Sequence, residues 1–403
     1  MSILAVNTGS SSLKFALYPL QQARVQAAML TGSFSGLESS GQGTLRWQRQ
    51  SLQSANGMPG QGVETFPQSG AASHDVFESA LLRLQALLDD LALAPQIRAV
   101  AHRVVHGGTA FQQAVVVNDA ALQSLQALSP LAPLHQPHNL RGITLCQRSY
   151  PGVPQVACFD TAFHSTVPDV ERRFALPQAL YAQGIRRYGF HGLSYQYVQG
   201  VLEQVSERAL GPVVMAHLGN GASLCATREG RSQATTMGFS AVDGLMMGTR
   251  CGALDPGVIL HLLGQGWTAP QLEDLLYRQS GLLGVSGVSA DMRTLRLDTT
   301  APAQEAIALF EHRIVREVGA MAACVQGMGV LAFTGGIGEH DALLRQNVCQ
   351  RLAHLGVQLE EHVNAQATGD QVQAIHHPRS AVEVWVVPTD EGKVAAQAAA
   401  DLV

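Results

Sequence analysis

Ile3-Leu-Ala-Val-Asn7-Thr-Gly-Ser-Ser-Ser12-Leu-Lys-Phe-Ala-Leu17 leads an apolar run into a tight polar turn and out into a second apolar run. About half a chain later, Pro212-Val-Val-Met-Ala-His217-Leu-Gly-Asn-Gly221-Ala-Ser-Leu-Cys-Ala226 does the same. Both read as strand, turn, strand, and two such openings predict two similarly built domains. Between and after them, strand and helix signals alternate. Phe77, Leu81, Leu84, Leu88 and Leu91 follow helical spacing behind Ser73 as N-cap, and Ile97–Val105 returns as a strand that ends in His106-Gly-Gly108. A proline-studded stretch, Pro130 to Asn139, enters a helix around Leu140–Arg148, and Val156–Phe159 is a short buried strand delivering Asp160. Residues 38–72, rich in Gly, Ser and Gln, read as a surface excursion on a β-meander in which Thr44–Trp47 is a strand. A third glycine turn, Thr334-Gly-Gly-Ile-Gly338, follows the apolar run from Val330 to Phe333. A closing strand at Val384–Val387 and an Ala-rich helix after Glu391 read as a return to the first domain. The predicted fold class is therefore α/β, two domains that are each a mixed sheet with helices, around a central cleft. The boundaries are 1–164 completed by 390–403, and 165–389.

Composition narrows the function classes. At 403 residues the chain exceeds one ordinary domain. With 26 Lys+Arg against 31 Asp+Glu and a net charge of −5, it lacks the basic excess that nucleic-acid binding needs. A 46% hydrophobic content excludes disorder, and no uncharged apolar stretch approaches the roughly 20 residues of a membrane helix. The N-terminus has no basic segment ahead of an apolar run, so the expected location is the cytoplasm. Six cysteines without a C-x-x-C pair read as free thiols.

Three glycine turns invite a phosphate reading. Asn7–Ser12 with Lys14 offers backbone N–H groups, hydroxyls and an ammonium within a few residues, although a plain hairpin turn would look alike. No G-x-x-x-x-G-K-[ST] occurs, and Gly336-Ile-Gly338 fails G-x-G-x-x-G because position 341 is Asp, which disfavours P-loop and Rossmann readings. Arg103 and Arg250 each stand near glycines, and a guanidinium binds a carboxylate or phosphoryl group bidentately; the alternative for each is a structural ion pair. Asp160 falls at the C-terminal end of a strand, where open sheets place their ligands, or is a helix N-cap. His191, inside Tyr188-Gly-Phe-His-Gly192, is a stabiliser of developing charge or a core histidine. His135, His138, His376 and His377 show no metal spacing.

In chain order, Asn7-x-Gly-Ser-Ser-Ser-Leu-Lys14, His102–Gly108, Phe159–His164, Tyr188–Gly192, His217–Gly221, Met247–Arg250 and Gly336–Glu339 together resemble the acetate kinase family of short-chain carboxylic acid kinases. That family lies in the superfamily of sugar kinases, actin and the heat-shock chaperone ATPases, with actin-like (ribonuclease H-like) domains. The resemblance implies reversible, in-line phosphoryl transfer between ATP and a short carboxylate such as acetate, giving ADP and an acyl phosphate, with magnesium, or manganese in its place. It implies a homodimer acting on small molecules, with no nucleic acid or membrane partner. Carried over residue by residue, Asn7 and Glu391 match the metal site. Lys14, His217, Leu218, Gly219, Asn220, Gly221, Asp291, Met292, Arg293, Gly336, Ile337, Gly338, Glu339 and His340 match the nucleotide site. Arg103, Val105, Leu134 and Phe190 match the carboxylate site, and Asp160, His191 and Arg250 the catalytic set. A carboxylate nucleophile is already ionised at neutral pH, so Asp160 has little proton to remove and is read as positioning substrate or metal.

The chain departs from the family pattern in four places. Cys251-Gly-Ala253 stands for Ser-Gly-Asp, His340 for Asn, Gly392 for Glu, and Ala241 for a proline lining the acyl pocket. The smaller Ala241 widens that pocket, which favours a propionate- or butyrate-preferring relative as the alternative. A further alternative is an ATP-driven switch like actin or the chaperones. Against it, Arg103, Arg250 and His191 supply cations for a second anionic reactant.

Overall fold

A computed structural model describes residues 1–9, 11–37, 42–49, 60–67 and 76–403. Ser10, the expected N-cap Ser73 and much of the 38–72 excursion lie outside the described residues. The chain divides into two compact units, Met1–Ala162 with Asp390–Val403, and Phe163–Thr389.

The first unit is built on strands β1 (Ser2–Thr8), β2 (Leu13–Gln21), β3 (Arg24–Val25), β4 (Leu30–Ser35), β5 (Gln42–Arg49), β6 (Gln61–Pro67), β7 (Ile97–Val104), β8 (Val115–Val116) and β9 (Gln155–Phe159). Among the described residues they form one sheet in the order β6-β5-β4-β2-β1-β7-β9-β8, with β3 on β2. β1 and β2 are the expected hairpin, with Asn7 opposite Lys14. β1, β7 and β9 run parallel, with Val6 opposite His102 and Arg103 opposite Cys158. Their near-continuous apolar sequences suit strands covered on both faces. Helices α1 (Val76–Asp90), α2 (Asp119–Ala127) and α3 (Gln136–Ser149) supply part of that cover. Leu84 and Leu88 of α1 join Phe15, Leu17 and Tyr150 in one core, and Ile143 of α3 joins Val104 and Phe159 in another. α3 starts four residues before the expected Leu140 because a proline in the first helical turn costs no hydrogen bond and presets the backbone.

In the second unit come helices α4 (Asp169–Arg172), α5 (Gln178–Ala182) and α6 (Gly192–Val205), then strands β10 (Val213–Leu218), β11 (Ala222–Arg228) and β12 (Arg231–Thr235). Helices α7 (Pro256–Gly264), α8 (Ala269–Arg278), α9 (Gly281–Ser286), α10 (Met292–Leu297) and α11 (Ala301–Cys324) follow. β13 (Val330–Thr334), α12 (Gly335–His340), α13 (Ala342–Arg351), α14 (Glu361–Gln366), β14 (Gln373–Ala374) and β15 (Glu383–Val386) complete it. The strand order is β12-β11-β10-β13-β15-β14. β10 and β11 are the second expected hairpin, and β10, β13 and β15 run parallel. This repeats the first sheet strand for strand, from β4-β2-β1 through β7-β9-β8, so both units are mixed α/β of one design.

Two expectations change. The closing strand does not return to the first unit: β15 pairs with β13, Phe333 opposite Val386, because its buried valines complete the second sheet. Only the last helix, α15 (Glu391–Ala400), joins the first unit, where it packs on β7 and β1. The third glycine segment is also no open turn but helix α12, whose first backbone N–H is held by its own Glu339.

Candidate active site

Parallel strands bring the candidate residues of the first unit to one edge. Asn7, Arg103 and Asp160 stand at or just past the C-terminal ends of neighbouring β1, β7 and β9, the edge at which open α/β sheets bind ligands. Asp160, 1% exposed, accepts two hydrogen bonds from Arg103, Nε to Oδ1 at 2.9 Å and Nη2 to Oδ2 at 2.6 Å. Glu391, at the first position of α15, places its carboxylate 3.3 Å from the same Nε. Burial works against the Arg103 charge, yet the Asp160 and Glu391 carboxylates outweigh it and hold the pKa well above the usual arginine value. The guanidinium is thus locked as a cation between two protein carboxylates, with 22% of its side chain accessible. Val105 is buried beside it in sequence, Leu134 is half-buried, and Lys14 is exposed on β2.

Asn7 and Glu391 offer an amide and a carboxylate oxygen. Magnesium is ordinarily held by one or two carboxylates together with substrate phosphates, so this hard-oxygen donor pair fits it without a full protein cage.

In the second unit the candidates converge on Gly221. A Cβ added there would lie 3.3 Å from His191 Nε2, a tight contact, and 3.8 Å from Arg250 Nη1, an ordinary one, so both groups face the turn and the missing side chain is what lets the His191 ring come so close. His191 precedes α6 with φ of 59°, a left-handed conformation that few non-glycine residues adopt. Its Nδ1 lies 2.9 Å from Ser223 Oγ, and its ring stacks on His217 at 4.2 Å, whose Nδ1 meets Ser194 Oγ at 2.8 Å. Arg250 donates from Nη1 to the Ala241 carbonyl at 2.9 Å. Its loop is pinned by Met247 N–H to the Arg250 carbonyl, Cys251 N–H to Leu276 and Ala253 N–H to Gly244. The departures at 241, 251 and 253 therefore leave these backbone anchors in place. Gly248 N–H donates to the Asn220 carbonyl, joining this loop to the Leu218–Gly221 turn. Phe190, buried, precedes His191, and its carbonyl bonds His164 Nε2 at 2.9 Å.

The remaining candidates serve two helix starts. Asp291 caps α10 and pairs with exposed Arg293 at 2.6 Å, beside buried Met292. In α12, Gly336, Ile337 and Gly338 follow β13, which lies next to β10 in the sheet, so this segment and the His217–Gly221 turn leave adjacent strands. Glu339 Oε1 accepts from Gly335 N–H at 2.8 Å and Thr389 N–H at 3.1 Å, which braces the segment from within. His340 Nδ1 contacts the Thr368 carbonyl.

Two polar residues emerge that sequence reading did not single out for chemistry. Asn139 of α3, 4% exposed, donates to the Thr8 carbonyl at 2.8 Å and accepts from Val105 N–H at 3.0 Å, clamping the ends of β1 and β7 together. Arg345 of α13 is fully buried and donates to the carbonyls of Gly338, Glu339, Asn364 and Ala367 and to Asn364 Oδ1, between 2.7 and 3.0 Å. Both stand among apolar positions of a helix, the one signal a sequence carries for a polar residue that turns inward.

A duplicated mixed sheet with glycine segments and half-buried arginines near the ends of its parallel strands defines an actin-like phosphotransferase. The particular family follows from comparison: the acetokinase family profile matches residues 2–397, and the chain belongs to that family. It is 47% identical to an acetate kinase of Rhodopseudomonas palustris over 392 residues, 96% of this chain and 95% of that one. A propionate kinase from Francisella tularensis superposes with a TM-score of 0.88 at 33% identity, covering 98% of both chains. Porphyromonas gingivalis acetate kinase does so at 0.85 and 34%, again over 98% of both.

Proposed function

We propose that this protein transfers the γ-phosphoryl group of ATP to the carboxylate of acetate, reversibly, giving acetyl phosphate and ADP. The observation that carries this reading is full-length membership of the acetokinase family together with the convergence of His191 and Arg250 on Gly221. In-line phosphoryl transfer spreads negative charge over equatorial oxygens and chiefly needs positioned cations and hydrogen-bond donors. Arg250 supplies the guanidinium and His191 a ring donor. Arg103 takes the substrate carboxylate, which is already ionised at neutral pH, so Asp160, bonded to Arg103, positions rather than deprotonates. Val105, Leu134 and Phe190 line the methyl side of the substrate. The glycine turn at His217–Gly221, the Asp291–Arg293 helix start, the Gly336–His340 segment and Lys14 hold the nucleotide. Asn7 and Glu391 hold magnesium, which when bound neutralises phosphate charge.

The test mixes protein, ATP, magnesium and hydroxylamine with acetate, propionate or butyrate and reads acyl hydroxamate, which forms only when an acyl phosphate is made. Hydroxamate with acetate is the expected result; none with any acid, while nucleotide binds, removes the reading. Propionate preference is the second reading, favoured by Ala241 and by the likeness to a propionate kinase. One methylene shifts preference by about 1–3 kcal/mol, so kcat/KM across the three acids ranks them directly. We also propose that the protein is a homodimer, on the strength of the apolar, unburied helix α7.

A further inference from the structure

Behind His191 lies a buried chain of groups that the proposed chemistry does not use. Ser223 of β11 and Tyr195 of α6 are both fully buried. The Tyr195 hydroxyl meets Ser223 Oγ at 2.5 Å, and Ser223 Oγ meets His191 Nδ1 at 2.9 Å. Each hydroxyl has one proton to donate, and neutral imidazole has one nitrogen that donates and one that accepts. One arrangement gives both hydroxyl protons an acceptor within this chain of groups: Tyr195 donates to Ser223 Oγ, and Ser223 donates to His191 Nδ1. With a proton on Nδ1, Ser223 Oγ would accept from His191, and either the Ser223 or the Tyr195 proton would be left in a dry interior with no acceptor in this chain of groups. A doubly protonated ring meets the same obstacle and also sits near the Arg250 cation and against the stacked His217 ring.

We propose that Tyr195 and Ser223 are positioning residues that hold His191 as the neutral Nε2–H tautomer, presenting a fixed donor on the Gly221 and Arg250 side. His191 then stabilises charge on the transferring group by hydrogen bonding, with no bond to its proton broken during the reaction. The kinetic part rests on the function proposed above; the tautomer does not.

The experiment has two arms. In protein labelled with ¹⁵N-histidine, long-range ¹H–¹⁵N correlation reads the tautomer of His191, assigned by its absence from His191→Gln. A pyridine-like Nδ1 and a pyrrole-like Nε2 from about pH 6 to about pH 8 are expected; the reverse pattern, or two pyrrole-like nitrogens, overturns the proposal. In the second arm, Ser223→Ala lowers kcat by up to about 10²-fold, the loss on removing one charge-stabilising donor, with KM for ATP and acetate held within about twofold. Ser223→Thr keeps the hydroxyl and restores most of the rate. Unchanged kcat in Ser223→Ala, or a Thr variant as slow as Ala with both KM values raised, makes the residue merely structural and overturns the proposal. Because the spectrum is recorded without substrate, an Nε2–H ring in a protein that makes no hydroxamate would sink the function and keep the tautomer.

Discussion

A single absent methyl group decides how closely His191 approaches the Gly221 turn, where the proposed function places the second unit's catalytic residues. With Ala at 221, the added carbon would stand 3.3 Å from His191 Nε2, closer than such contacts normally come, and 3.5 Å from Cε1. The His191 ring, stacked on His217 and tied to Ser223, would give by a few tenths of an ångström. Displacements of that order cost rate far more than stability. Gly221→Ala is therefore expected to lower kcat by about 10- to 100-fold with an unchanged urea midpoint; wild-type turnover would show that Gly221 does not set the ring. Arg250→Ala removes the cation itself, and a loss of about 10³–10⁵ in kcat is expected with folding intact, the scale of a phosphoryl-stabilising arginine. These residues stood out as candidates in the sequence because each sits in a short run of glycine and polar residues, and the structure brings them to one turn. Asn139 and Arg345 were not. Asn139 acts on Thr8, 131 residues away, and Arg345 on carbonyls that become neighbours only after three helices have packed. A polar letter in a helix does not announce its partners.

At the scale of elements, the two hairpins could be read from alternation and turn residues, since both strands and their turn are contiguous. α12 could not, because three glycines argue against a helix by propensity. Tertiary contacts override that cost: Glu339 holds Gly335 N–H, and Arg345 holds the carbonyls of Gly338 and Glu339. The buried histidines carry an element-level consequence for pH. His102 inside β7, His106 just after it and His164 past β9 are all pushed down to about 4 by burial, His102 while donating from Nε2 to Gln155 Oε1 at 2.8 Å. Unfolded, each titrates near 6.5. Since the native pKa is depressed, the unfolded chain binds protons first on acidification. Stability is fully present above about pH 6.5, falls as pH drops toward about 4, and by linkage loses about 3 kcal/mol for each histidine across that window. Urea unfolding at about pH 7.5 and about pH 5 checks this. A clear fall at the lower pH is expected, and a flat profile would mean that the three rings are charged in the native state. His102→Gln should shallow the slope by one proton.

For the whole molecule, the informative element is α7, Pro-Gly-Val-Ile-Leu-His-Leu-Leu-Gly, which buries none of its residues in its own chain. Val258 is 40% exposed, Leu260 70% and Leu263 45%, with Leu254 at 42% just before the helix. Asp255 caps it through Gly257 N–H, so the helix is well formed and not a frayed end. An aliphatic side chain left in water forgoes about 1.5–3 kcal/mol of burial, and Leu260 and Leu263, three apart and so neighbours on the helix surface, form an exposed apolar patch of the kind that marks an interface more often than bare surface. A second copy of the chain is the simplest partner, because a two-fold contact sets the same patch against itself and needs no other component. We therefore expect light scattering at micromolar concentration to give twice the mass of one chain. Leu260→Asp places a charge in the patch, where two copies would set like charges together, and should halve that mass with the circular dichroism unchanged. Whether the monomer so produced still makes acyl hydroxamate separates two roles for the pairing: retained turnover makes the dimer a matter of stability, whereas lost turnover with an intact fold makes α7 contacts a condition of holding the Arg250 loop, which leads directly into α7.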